Sequence, residues 1–270
     1  MARRHQAVAG TIALLTAAAG IAVGSGTATA GTPDVPTFQE FAASTYRDPF
    51  HVYVVNGDEP IDSRQELHDY YDQMTGGGAL IEGLIVNKVN GRADKWSATQ
   101  VHNLTYCVST KFGTNRARVA KAVAAGAAKW ENASSKVNFA YKSSQDSRCT
   151  TSNNNVVFSV EPTQSAKFVA RAFFPSTPKR SRNVVVVTNL LFKDASSPEN
   201  ILAHELGHVL GFRHEHTRPE SGTCFEDKNW IPLTPYDGRS IMHYPQCNGK
   251  SRVLTMTDYD RAGVRKLYGR

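Results

Sequence analysis

The part of the chain after residue 96 contains several short apolar runs and one long amphipathic stretch. Val119, Val123 and Trp130 recur at helical spacing, which predicts a helix over residues 115–132. Four consecutive valines beginning at Val184 are typical of a strand buried on both faces. We therefore expect an α/β (α+β) fold with a mixed, mostly parallel sheet and packed helices. The strands are expected at residues 104–108, 137–141, 155–160, 168–174 and 183–191.

The preceding segment, residues 31–95, is punctuated by prolines and contains less regular structure. Its patterns predict a helix over 38–46, a strand over 51–55 and a helix over about 63–74 that ends at three glycines. A polar, basic stretch follows Asn90 and is suited to proteolytic cutting. We interpret this segment as a small accessory unit.

Residues 1–30 have the organisation of a secretory signal peptide. Arg3 and Arg4 precede an alanine-rich apolar run. Small residues follow this run, and they predict a cleavage site after Ala30. A membrane anchor is the alternative, but glycines and threonines interrupt the run and leave it too short to span a bilayer. We expect a secreted, extracellular protein with no membrane segment after cleavage.

The net charge of +7 is distributed unevenly along the chain. Residues 31–95 carry 5 basic and 11 acidic side chains, whereas residues 96–270 carry 24 basic and 13 acidic ones. Two segments of opposite charge attract each other, and high salt should weaken that attraction. A nucleic-acid partner is disfavoured, because the chain has no recognisable binding motif and carries an export signal.

Four cysteines in an exported chain predict disulfide bonds. Three connectivities are available, and sequential pairing of Cys107 with Cys149 and of Cys224 with Cys247 closes the two shortest loops. A zinc–thiolate site is the competing interpretation, but the sequence has no CxxC spacing to support it.

The sequence HELGHVLGFRH, residues 204–214, carries the strongest chemical signal. Ser197 and Pro198 are typical of a helix start, and His204 and His208 then lie one turn apart on one helix face. Gly211 can end the helix and turn the chain back, so that a third histidine approaches the other two. The pattern predicts one catalytic Zn²⁺ with three nitrogen ligands and an open fourth position.

Within this pattern His204, His208 and His214 are the predicted zinc ligands, and Glu205 is the predicted general base. His51, His68 and His102 have no partners at ligand spacing, and we interpret them as ordinary residues. We expect His216 to lie in an exposed loop.

The zinc motif and the later sequence SIMHY, residues 240–244, together resemble the astacin branch of the metzincin metallopeptidases, in a bacterial secreted form. The resemblance implies a zincin fold in which Met242 forms a hydrophobic floor under the zinc. It also implies that Tyr244 is a further zinc ligand that swings away to stabilise the transition state. Pro219 and Glu220 depart from the acidic run of the astacins, so another metzincin branch is the alternative.

The sequence VNGD, residues 55–58, resembles the motif through which astacin pro-segments place an aspartate on the metal. This resemblance implies that Asp58 is a zinc ligand in the zymogen, although Val55 replaces the usual aromatic residue. A plain Asn-Gly-Asp turn is the alternative. We therefore divide the chain into a signal peptide (1–30), an inhibitory pro-segment (31–95) and a catalytic domain (96–270), with an activation cut between Asn90 and Trp96.

The sequence thus predicts a monomeric, secreted zinc endopeptidase made as a zymogen, which acts on protein or peptide substrates and has its own pro-segment as inhibitor. A zinc amidase that acts on cell-wall peptides is one alternative. A catalytically weak binding protein on a zincin scaffold is another, but the intact Glu205 argues against it.

Overall fold

Seven α-helices and eleven short strands occur in the described part of this computed structural model, which comprises residues 36–75, 84–164 and 167–270. The helices are α1 (Phe38–Ser44), α2 (Arg64–Thr75), α3 (Ala98–Val101), α4 (Arg116–Ala133), α5 (Thr188–Leu191), α6 (Pro198–Val209) and α7 (Asp258–Tyr268). The strands are β1 (Tyr46–Arg47), β2 (Tyr53–Val55), β3 (Glu59–Ile61), β4 (Ile85–Val89), β5 (Arg92–Ala93), β6 (Leu104–Val108), β7 (Phe139–Tyr141), β8 (Phe158–Pro162), β9 (Ala170–Arg171), β10 (Asn183–Val186) and β11 (Trp230–Pro232).

The central sheet has five strands in the order β7-β6-β8-β10-β9. β6 pairs in parallel with β7 and β8, β8 pairs in parallel with β10, and β9 runs antiparallel to β10 at the edge. Every residue of β6 and β10 is buried, as expected of strands that are covered on both faces. The predicted mixed, mostly parallel sheet is confirmed.

The apolar run at 183–191 does not form one strand, contrary to the prediction. β10 ends at Val186, and the chain then turns into α5, where the Leu191 amide donates to the Val187 carbonyl at 3.0 Å. Leu191 is nevertheless buried, by the helical turn instead of by sheet pairing. A short apolar run does not distinguish a buried strand from a buried helical turn.

Helices α4 and α6 pack against each other within the main hydrophobic core. The indole of Trp130 on α4 donates a hydrogen bond of 2.7 Å to the Ala203 carbonyl on α6. The two backbones lie close together at Gly126, where a Cβ would lie 2.8 Å from the Ala203 nitrogen. This contact fixes the position of the helix that carries the zinc motif.

The described part of the acidic segment contains helices α1 and α2 and the antiparallel sheet β1-β2-β3. Thr37 and Glu40 form a capping box at the start of α1, and Leu67 and Tyr70 of α2 lie in a separate apolar cluster. A third cluster joins this segment to the central sheet, since Val54 packs with Val185 there.

Residues 84–95 belong structurally with the main core. β4 pairs antiparallel with β11, and Leu84 and Val86 lie in the same hydrophobic cluster as Trp130. Trp96 lies in that cluster as well, and its indole donates to the Val209 carbonyl at 2.7 Å. This stretch precedes the predicted domain boundary at residue 95.

The structure contains both predicted disulfides, Cys107–Cys149 and Cys224–Cys247. The described residues between 36 and 270 belong to one compact unit, and none of their helices has the length and apolar character needed to cross a bilayer. The predicted signal peptide and the three glycines at 76–78 lie outside the described residues.

The close approach at Gly126 predicts that Gly126→Ala lowers the free energy of unfolding by about 1–3 kcal/mol, because backbone atoms of α6 would have to move. Alanine by itself favours a helix interior by about 1 kcal/mol over glycine. Chemical denaturation measures the difference, with Ala124→Gly at an exposed position of α4 as the control for helix propensity. A more stable Gly126→Ala protein would contradict the close packing of the two helices.

Candidate metal centre

Helix α6 places two histidines of the motif on its buried face. The helix begins after Ser197 with Pro198 at its first position, and it ends at Val209, with Leu210 as the C-cap. Gly211 follows with a φ of 98°, a left-handed conformation that glycine adopts without strain. The chain therefore reverses at this point and brings His214 back toward His204 and His208.

The three imidazole rings converge on one point. Ring centroids are 4.9 Å apart for His204 and His208, 4.8 Å for His208 and His214, and 5.2 Å for His204 and His214. The Nε2 atoms of His204 and His214 are 3.3 Å apart. All three side chains are buried, so the three rings meet in an interior that is shielded from water.

Each ring also makes a hydrogen bond through Nδ1, on the side that faces away from this meeting point, and that bond fixes which nitrogen carries the proton. Nδ1 of His204 lies 2.7 Å from the Ile241 carbonyl, and Nδ1 of His208 lies 2.8 Å from the Phe212 carbonyl. Nδ1 of His214 lies 2.6 Å from the Glu226 carboxylate. Since carbonyl and ionised carboxylate oxygens only accept, each Nδ1 donates, and in the neutral form of each ring the lone pair is then on Nε2.

Three lone pairs that face one another repel unless a cation lies between them. Nε2 of His208 has no hydrogen-bond partner within the described residues, and Nε2 of His204 faces another ring nitrogen and the Asp58 carboxylate. Neutral imidazole nitrogens and a carboxylate oxygen are the ligand types that Zn²⁺ prefers. The donor set therefore fits a metal ion of this kind.

The predicted zymogen residue lies at the same point. Asp58, in the turn between β2 and β3, has carboxylate oxygens 3.1 Å from His204 Nε2 and 2.9 Å from His214 Nε2. Burial alone would raise the pKa of Asp58, but His214 and His204 hold it well below its usual range. Gly57 has a φ of 98°, and a Cβ there would lie 3.3 Å from the Tyr244 hydroxyl, so the turn needs glycine.

Glu205 follows His204 on α6 and is only 2% exposed. Burial raises the pKa of Glu205 well above its usual range, and the nearby Asp58 charge raises it further. One of its carboxylate oxygens has no hydrogen-bond partner among the described residues. A cleft of about 390 Å³ opens beside it, lined by residues that include Phe168, Ile201 and Leu254.

The turn that contains Met242 and Tyr244 forms the other side of the centre. Met242 is fully buried in the main core, and its carbonyl accepts from the Glu215 amide at 2.8 Å. The Tyr244 ring packs against His214, with 4.7 Å between the ring centroids. Asp260 of α7 holds this turn by accepting a hydrogen bond of 2.9 Å from the Ile241 amide.

The structure thus brings together every residue that the sequence singled out for the site. These residues are His204, Glu205, His208, His214, Met242, Tyr244 and Asp58.

The interpretation of His216 as an exposed loop residue is wrong. His216 is 1% exposed and stacks on His214, because the chain continues inward through a 3-10 turn after the third histidine. Glu226, which no sequence pattern predicted, forms a buried ion pair of 3.0 Å with Arg213 beside His214. No motif marks Glu226, since its role depends on a contact between residues 12 positions apart.

Comparison with known proteins assigns the family. A family model described as metallo-peptidase family M12 matches residues 51–254, which is most of the chain. The chain belongs to metallo-peptidase family M12. The predicted resemblance to a zinc metallopeptidase family is confirmed by this match.

Individual relatives of this M12 chain share shorter regions. It is 36% identical over 92 residues to bone morphogenetic protein 1 of Xenopus laevis, a match that covers 26% of this chain and 13% of the relative. It is 34% identical over 92 residues to human tolloid-like protein 1, covering 26% of this chain and 9% of the relative. The solved structure of myroilysin is similar over 69% of this chain and 98% of its own, with 19% identity and a TM-score of 0.48.

The converging nitrogens predict that the metal-stripped full-length protein binds one equivalent of Zn²⁺ or Co²⁺, and that His208→Ala abolishes stoichiometric binding. Metal titration followed by a chelator competition measures this. His102→Ala, which alters an exposed histidine away from the centre, is the matched control and should bind as the wild type does. Full binding by the His208→Ala protein would contradict the assignment.

Proposed function

We propose that this M12 chain is a zinc endopeptidase that is exported and held latent by its own N-terminal segment. The observation that carries the proposal is the set of three inward-facing Nε2 atoms with Glu205 beside them and Asp58 against them. His204, His208 and His214 are the proposed zinc ligands. The fold, the family and this donor set support one catalytic ion.

When bound by three neutral imidazoles, zinc lowers the pKa of a water ligand to about 7 and polarises a carbonyl group. Glu205 accepts the proton of the attacking water through its unpartnered carboxylate oxygen and then delivers it to the leaving amine. Burial raises the pKa of Glu205, which makes its carboxylate a stronger proton acceptor in the first step.

Tyr244 is proposed to donate its hydroxyl hydrogen bond to the oxyanion that develops on the substrate carbonyl. Its ring already packs against His204 and His214. Burial, together with the charges of Asp58 and Glu205, raises the pKa of Tyr244 well above its usual value, so the phenol stays protonated and able to donate.

Latency is proposed to rest on three acidic side chains from the N-terminal segment. Asp58 occupies the centre, and Glu59 pairs with the buried Arg213 at 2.7 Å. Asp48 forms a fully buried ion pair with Arg171, whose Nε donates to it at 2.7 Å. Salt screens buried pairs weakly, so high salt alone should release the segment less readily than its net charge suggests.

The position of the activation cut stays a prediction. Release of everything before residue 90 would remove β4 from its pairing with β11 and take Leu84 and Val86 out of the core. These contacts favour a boundary between the inhibitory segment and the peptidase that lies before Leu84, so that β4 remains with the peptidase.

The two disulfides support the proposed export, because such bonds persist in oxidising compartments.

The proposed role of Glu205 predicts that Glu205→Gln lowers kcat on unfolded casein by about 100- to 10,000-fold while zinc content is unchanged. The assay uses secreted protein after limited proteolysis, beside a chelated sample that is restored with zinc. Loss of zinc in step with activity would contradict the role as base. Absence of casein cleavage by fully zinc-loaded, nicked wild type would contradict the endopeptidase assignment.

The position of Asp58 predicts that Asp58→Ala gives an uncut precursor that already cleaves peptide, since the open fourth position becomes available to water. Asp62→Ala is the matched control, because Asp62 forms a 3.3 Å ion pair with the exposed Arg180 and is not one of the residues that gather at the metal centre. Activity of intact precursors, measured with an electrophoretic check that no cut has occurred, separates the two variants. If the intact Asp58→Ala and Asp62→Ala precursors are equally inactive, the proposed inhibition by Asp58 is contradicted.

A further inference from the structure

The Glu226 side chain lies between His214, the third predicted ligand, and the side chains of His216 and Arg213. One carboxylate oxygen accepts from Nδ1 of His214 at 2.6 Å and lies 3.4 Å from Nε2 of His216. The other accepts from Arg213 at 3.0 Å. The Glu226 side chain is completely buried, so these contacts take the place of hydration.

His216 extends this network to the turn that carries Tyr244. The Tyr244 amide donates to Nδ1 of His216 at 3.2 Å, so Nδ1 accepts and Nε2 bears the proton that points to Glu226. The Cys224–Cys247 disulfide ties the same two segments covalently, two residues from Glu226 and three from Tyr244. His214 and Tyr244 are therefore connected through one carboxylate.

The grouping of His214, His216 and Glu226 resembles a second metal site in composition. Its hydrogen bonds argue against that use, because Glu226 already accepts from a ring nitrogen and a guanidinium. A metal at Glu226 would also need Nδ1 of His214 without its proton, whereas Nε2 of that ring faces the main centre. The arrangement is that of a carboxylate which orients a ligand from outside the coordination shell.

We propose that Glu226 is a positioning residue: it holds His214 in the Nδ1-protonated tautomer and, through His216, fixes the turn that carries Tyr244. Arg213 keeps the Glu226 carboxylate in place and balances its charge. The inference rests on the proposed function for the role of Tyr244, whereas the effect on metal binding does not depend on peptidase activity.

The test is Glu226→Gln in the full-length protein, with zinc affinity measured by chelator competition. Loss of a ligand-orienting carboxylate is expected to weaken zinc binding about 10- to 100-fold. The visible spectrum of the Co²⁺-substituted protein should shift, because the third imidazole changes orientation and basicity. Glu226→Asp, which keeps the charge, should recover part of both properties.

Glu220→Gln is the matched control, because Glu220 pairs with Arg218 at 2.7 Å and, among the described residues, makes no ion pair with the three predicted ligands. Thermal unfolding with and without metal separates positioning from simple stability. An equal loss of stability in the metal-free and metal-loaded forms, with unchanged zinc affinity and cobalt spectrum, would overturn the proposal.

In nicked protein, Glu226→Gln is also expected to lower kcat more than it raises KM, since Tyr244 acts in the transition state. Unchanged kcat with weakened zinc binding, measured at saturating zinc, would overturn the link to Tyr244. If the wild type binds zinc but cleaves no peptide, the proposed function fails while the metal measurements still test Glu226.

Discussion

The metal centre depends on the hydrogen bonds that hold the outer nitrogen of each imidazole. The acceptors come from three separate places: the Ile241 carbonyl in the turn beside α7, the Phe212 carbonyl after α6, and the Glu226 carboxylate. Each of these contacts turns a lone pair inward. The centre is therefore a product of the folded core, in which the contact of α4 with α6 and the Asp260 anchor both contribute to the ligand geometry.

The same electrostatics explain how the N-terminal segment covers the site. The buried guanidinium groups of Arg171 and Arg213 favour anionic partners, as does a cation held by the inward lone pairs, and Asp48, Asp58 and Glu59 supply them. Burial makes each uncompensated charge costly, so each partner stabilises the other. Segment and core are thus complementary through specific buried contacts more than through their overall net charges.

Local sequence signals predicted the parts of the site that lie close together along the chain. The spacing of His204 and His208 on one helix, and the glycine that reverses the chain, follow from helix geometry. Glu226 and the Asp48–Arg171 pair could not be predicted, since they depend on tertiary contacts between distant segments. For the same reason, the valine run beginning at Val184 indicated burial correctly but did not show where β10 gives way to α5.

The most direct test of this account is a crystal structure of the intact, zinc-loaded precursor with anomalous diffraction recorded at the zinc absorption edge. The account predicts one zinc peak bounded by Nε2 of His204, His208 and His214, with an Asp58 carboxylate oxygen as the fourth ligand. A zinc ion bound elsewhere, or bound by the three histidines with Asp58 turned away and water in its place, would contradict it.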